Sequence, residues 1–144
     1  MKVREAIDRI DSLKHNTYTY GEKIEWLSRL DGNIKNQIID THEGGDDIVY
    51  RPYTEKDMER DLLIGAPYDQ LYIHYLEAQI DYYNGEIARY NNSMAMYQAA
   101  FDAYERFYNR THMPIGIKNK FFGGTPSQVS KPAQSIFDIE IREV

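Results

Sequence analysis

Cysteine is absent from this sequence, tryptophan occurs once, and nowhere do eighteen apolar residues run together. Without a thiol, disulfides, thiolate metal sites and cysteine nucleophiles are excluded. Without a long apolar run, a membrane-spanning helix is not expected. The opening "MKVREAIDRIDSLK" sets charges at helical spacing where a secretory signal would need an unbroken apolar stretch, so an intracellular, soluble protein is expected. In that setting "NNS" at Asn91 and "NRT" at Asn109 stay unglycosylated. Enzyme signatures are equally scarce: there is no Gly-rich phosphate loop leading into a helix, no His-Glu-x-x-His, no nucleophile elbow and no dinucleotide fingerprint. The paired glycines of "FFGGTPS" lack both the lysine and the following helix of a phosphate loop, and read as a turn or hinge. No enzymatic activity and no cofactor is expected.

At 144 residues the chain is long enough for one domain with a modest core and short extensions. Its charge is uneven: residues 1–112 hold 13 Lys+Arg against 20 Asp+Glu, net −7, and residues 113–144 hold 4 against 3, net +1. A body this acidic is a poor match for gripping nucleic acid, because that affinity rests on neutralising phosphates. Solubility alone accounts for the acidity; a surface that faces DNA without binding it is the functional alternative.

The hydrophobic pattern is helical over most of the chain. In "VREAIDRIDSLK", Val3, Ala6, Ile7, Ile10 and Leu13 form one stripe. A second helix is predicted from about Gly21 to about Thr41, opened by a capping box of Thr19 with Glu22, its face carried by Ile24, Leu27, Leu30 or Asp31, Ile34 and Ile38. Between His42 and Ala66 the pattern fails. "HEGGDD" is loop by composition, "VYRPY" is extended, and "TEKDMERDLL" permits a short helix capped by Thr54 with Asp57. His42, Glu43, Asp46 and Asp47 lie within six residues, but a solvated acidic loop describes them better than a cation site, which needs ligands at alternate positions round a defined turn. A small metal-dependent hydrolase using His42, Asp46 and Asp47 would be the enzymatic alternative.

Nine of the thirteen tyrosines fall between Pro67 and Pro114. Ile73, Leu76, Ile80, Tyr83, Ile87, Tyr90, Met94, Tyr97, Phe101, Tyr104 and Tyr108 recur at alternating intervals of three and four, which predicts one helix from about Tyr68 to about Thr111, with a bend allowed at Asn84-Gly85. Such a helix would be ~65 Å long. Tyr72, Tyr75 and Tyr82 widen its apolar face beyond what two short helices can cover, and so become candidate subunit-interface residues. After Pro114 the composition turns to Gly, Pro, Ser and Lys, reading as an extended arm over 114–144 with Phe121 and Phe122 exposed. It ends in "SIFDIEIREV", whose alternation of Phe137, Ile139 and Ile141 with charged residues predicts a β-strand. One strand needs a partner: "DIVYR" in the same chain, or a sheet on another subunit. The fold class expected is therefore mainly α, a small helical bundle (1–113) built on one long C-terminal helix and followed by an arm (114–144) with a terminal strand.

"VREAIDRIDSLK", "EKIEWLSRLDGNI" and above all "YLEAQIDYYNGE", "YNNS" and "YNRTHMP" resemble a family of small tailed-phage and prophage head-morphogenesis proteins, over most of residues 1–113. By analogy with phage connectors the resemblance implies a head–tail adaptor in the virion neck, assembled in the host cytoplasm as a homo-oligomeric ring, a dodecamer by that analogy. Its implied partners are the portal protein, a tail or second connector protein, and DNA passing without specific binding. No membrane partner is implied. Some of Asp81, Glu86, Asp102 and Glu105 would then face the channel, with Phe121, Phe122, Phe137, Ile139 and Ile141 of the arm on a neighbour or the portal. A cytosolic helical interaction module, a dimeric regulator or chaperone for phage structural proteins, is the alternative reading.

Overall fold

The computed structural model describes residues 1–115. Four helices carry them: α1 (Val3–Leu13), α2 (Tyr20–Gln37), α3 (Gln70–Tyr83) and α4 (Ile87–Thr111). Single 3-10 turns at Ile39–Thr41, Gly45–Asp47 and Glu55–Asp57 punctuate the α2–α3 connection. The mainly helical class expected from the sequence is thus what folds. Among the described residues no strand forms, and "DIVYR" pairs with nothing; the predicted terminal strand lies outside them.

Local signals set the helix ends. Thr19 and Glu22 cap α2 reciprocally: the Glu22 amide donates to the Thr19 hydroxyl at 3.2 Å, and the Thr19 amide donates to the Glu22 carboxylate at 2.9 Å. Thr54 and Asp57 form the same device, but it opens one 3-10 turn in place of the short helix allowed by the sequence. Helix α2 runs through Gly32 and ends at Gln37, and the predicted extension to Thr41 becomes a separate turn.

The long helix predicted over 68–111 is two helices. At Asn84-Gly85 the chain reverses, with Gly85 at φ +76° and the Glu86 amide donating to the Asp81 carbonyl. Ring pairs Tyr68–Tyr104, Tyr75–Tyr97 and Tyr82–Tyr90 then have residue numbers that sum to 172 in each case, the signature of an antiparallel hairpin. The seam survived the reversal because the step from Tyr83 to Ile87 is itself four residues. Those two side chains are each 57% exposed, so the stripe breaks where the helix does. A positive φ strains any residue with a Cβ, which is what the glycine permits.

The core lies between α1, α2 and α3. Val3, Ala6, Ile7 and Ile10 meet Ile24, Leu27, Leu30 and Ile34, and both stripes close on Leu71, Ile73, Leu76 and Ile80. Leu13, expected on the α1 stripe, is 62% exposed beyond the end of this contact. The α2–α3 connection is fastened to the start of α1 by backbone bonds from Val3 to Arg60, Arg4 to Met58 and Leu62 to Met1. Gly45 sits so tightly over the end of α2 that a Cβ there would lie 2.4 Å from the Ile39 carbonyl oxygen. Helix α4 packs on the outside, burying only Ser93, Tyr104 and Tyr108.

Candidate interaction surface and the buried carboxylates that shape it

Two carboxylates are wholly enclosed, and both serve the fold. Asp31 rides on the apolar stripe of α2 and is fully buried. It accepts from the Tyr53 hydroxyl at 2.5 Å, the Tyr72 hydroxyl at 2.6 Å and the Leu63 amide at 3.0 Å, while Tyr72 accepts from the Ile64 amide at 2.9 Å. Burial holds the Asp31 carboxyl above the usual aspartate range, against the opposing pull of those donors. The same burial, with Asp31 alongside, drives both tyrosine hydroxyls far above their ordinary range. Asp81 on α3 pairs with the Lys14 ammonium at 2.6 Å and accepts from Ser93 Oγ on α4 at 2.9 Å, joining α1, α3 and α4.

These placements correct two expectations. Asp81 is fully buried inside the subunit and faces no channel, and Tyr72 is fully buried as a ligand of Asp31 and lies on no subunit interface. The physical reason is the same for both: each polar group on the helix is satisfied by a partner distant in sequence, which lets it lie inside. Of the other candidates, Glu86 is exposed and pairs with Arg89 at 3.0 Å. Asp102 and Glu105 are half-buried on α4, Asp102 accepting from Gln98 at 3.0 Å. Tyr75 is half-buried against Tyr97, and Tyr82 is 52% exposed. Phe121, Phe122, Phe137, Ile139 and Ile141 lie outside the described residues.

The acidic loop is not assembled as a cation site. His42 is buried; its Nδ1 donates to the Ile38 carbonyl at 2.6 Å and its Nε2 lies 2.7 Å from the Asn109 side-chain amide. Asp46 and Asp47 point outward. Among the described residues no group of three or more His, Asp or Glu side chains is placed to hold a metal ion. Nor is any helix among them long and apolar enough to cross a membrane.

Two surface features stand out. One is aromatic: Tyr83 stacks on Trp26 at 5.6 Å, Tyr82 meets Tyr83 and Tyr90, and Ile87 stands open beside them at the hairpin tip, with Met96 exposed further along α4. The other is a groove of about 600 Å³ between α2 and the segment 50–55, lined by Ile24, Gly32, Tyr50, Pro52 and Tyr53 together with the charged Glu25, Arg29 and Glu55. Its walls are pinned together. The Tyr50 hydroxyl donates to the Ser28 carbonyl at 2.5 Å, the Tyr53 amide donates to Ser28 Oγ at 3.1 Å, and Tyr53 and Tyr50 meet edge to face. The sequence marked Tyr82 by its excess of aromatic surface but gave no sign of the groove, which depends on how an irregular segment lies across a helix. No protein-family model, curated protein or solved structure matches the chain.

Proposed function

We propose that this chain is a structural assembly subunit, an adaptor of the tailed-phage head–tail connector that forms a ring beneath the portal and joins the DNA-filled head to the tail. The observation that carries this reading is the exposed aromatic tip of the α3–α4 hairpin, Tyr82, Tyr83 and Ile87, on a body that is otherwise acidic. Side chains of that size left open on a small helical bundle suit burial against another subunit. A head-to-tail contact between identical copies closes into a ring when its rotation closes. The net −7 of residues 1–112 supports the same reading, since a passing duplex is not held by a like-charged wall. With Asp81 enclosed, Glu86, Asp102 and Glu105 are the remaining candidates for that wall. The basic arm after Pro114 supplies the contact to a neighbour or to the portal.

The competing reading is a dimeric helical interaction module, for which a dimer at every concentration is the expected result.

The test is assembly of the full chain, alone and with a portal protein, followed by mass photometry and negative-stain imaging. Closed rings are the expected result, with Ile87→Lys and Tyr82→Ala reducing them at unchanged helical content. A chain that stays monomeric or dimeric at every concentration, with and without the portal, overturns the proposal.

A further inference from the structure

The groove beside α2 and the acidic loop at its end line up with what the chain offers next. Ile115 leaves the fold at a fixed place: the Glu43 amide donates to the Met113 carbonyl at 2.9 Å, and His42 pairs with Pro114. That exit lies beside the C-terminal end of α2 and the loop that carries the exposed Asp46 and Asp47. The residues that follow are "GIKNKFF", in which Lys118 and Lys120 precede Phe121 and Phe122. Residues 116–131 hold three lysines and no acid, in a chain whose first 112 residues are net −7.

Order and reach agree. Lys118 and Lys120 come three and five residues after the exit, within range of Asp46 and Asp47. Phe121 comes six residues after it, a span of up to ~20 Å. From the end of α2 at Gln37 to Gly32, where the groove begins beside Tyr50, is only ~7.5 Å along the helix. With no side chain at Gly32, the Tyr50 ring lies close against the helix there, 3.6 Å from where a Cβ would be, and closes that end of the groove. Ile24, Tyr50 and Pro52 provide apolar lining, with Tyr50 already held by Ser28 and the neighbouring Tyr53 by Ser28 and Asp31, so an occupant loses little free energy to ordering the site.

We propose that in the free chain this groove is occupied by the chain's own Phe121-Phe122, with Lys118 and Lys120 passing over Asp46 and Asp47. Docking within one chain wins over docking between chains because a short tether holds the segment at an effective concentration on the order of millimolar, far above that of other copies in dilute solution. The segment is thereby stored on its own subunit. This inference concerns the free chain and stands whether or not the connector reading holds.

Photo-crosslinking of the full-length chain tests it, with benzoylphenylalanine in place of Phe121 and, separately, of Phe122. The expected product has the mass of one chain and joins the probe to residues 28–32 or 50–55. Asp46→Lys with Asp47→Lys should lower its yield roughly threefold to tenfold at low salt, and adding Lys118→Glu with Lys120→Glu should restore it. A product found only at the mass of two chains assigns the groove to a second copy and overturns the proposal. Adducts confined to the hairpin tip, or a yield indifferent to the charge reversal, overturn it equally.

Discussion

Helices α3 and α4 come from one unbroken heptad-like pattern, yet they meet different fates. Helix α3 buries seven of its fourteen residues and is covered by α1, α2 and α4, while α4 buries three of twenty-five and is covered among the described residues chiefly by α3, with Tyr68 and His42 touching only its C-terminal part. The periodicity is the same in both. What differs is the number of neighbours, which a spacing pattern does not encode. Polar residues record the difference: α3 carries Tyr72 and Asp81, each satisfied deep inside the subunit, whereas Gln98 and Asp102 on α4 satisfy each other at the surface.

The sharpest way to break this comparison is to strip the inner region of the group on which it converges. Asp31→Ala would leave the Tyr53 and Tyr72 hydroxyls and the Leu63 amide without their acceptor, and is expected to cost about 3–5 kcal/mol in chemical denaturation. The pH dependence of the native protein should carry the mark of the same residue. Since burial raises the folded-state pKa of Asp31 above its unfolded value, the folded state holds the proton more tightly. The contribution of Asp31 is therefore most favourable below the unfolded pKa and declines as pH rises through the interval between the two values. Asp57, whose pKa is lowered chiefly by the Thr54 amide, acts in the opposite sense and loses its contribution as pH falls. Asp31→Asn should accordingly remove the falling component of the acid-side profile and leave the rising one. A profile unchanged by that substitution would contradict the assignment.

Next in size is a matched pair across the hairpin. Leu76→Ala, in a site with no solvent access, should cost about 2–5 kcal/mol, and Tyr97→Ala, half-buried against Tyr75, about 1–2 kcal/mol. Equal costs would mean that α4 is covered as fully as α3. The turn between them gives a smaller effect: Gly85→Ala should destabilise by about 1 kcal/mol through its positive φ alone, since nothing lies within 4 Å of the position a Cβ would take. The smallest concerns Tyr108, whose hydroxyl is buried with no hydrogen-bond partner among the described residues while its ring stacks on His112 at 3.9 Å. Tyr108→Phe should be neutral or stabilising by up to about 1 kcal/mol. A clear loss in thermal unfolding would point to a partner beyond residue 115.

Much of the fold was legible in the sequence because it is written locally. The capping boxes at Thr19 and Thr54, the α1 stripe and the faces of α2 and α3 all follow from residues three or four apart. The hairpin is half legible: Asn84-Gly85 permits a bend, while the intact spacing favours continuity, and only the pairing of tyrosines across the turn decides it. The candidate site was less legible for a physical reason. Asp31 was visible as an acid on an apolar stripe, yet its meaning rests on Tyr53 and Tyr72, which lie 22 and 41 residues away. The Tyr50 wall of the groove stands on a segment with no periodicity to read.

The hub around Asp31 also bears on descent. A carboxylate that accepts from two phenols and an amide at once cannot be exchanged singly without leaving at least one of them stranded, so the three side chains form one unit of inheritance. A homologous sequence with a leucine or methionine where Asp31 stands should carry phenylalanine at the position of Tyr72 and an apolar residue at that of Tyr53. An exposed position outside any such hub, such as Met96, is by contrast free to drift alone. A lineage in which Asp31 changed and Tyr72 did not would show that the hub tolerates being dismantled in steps.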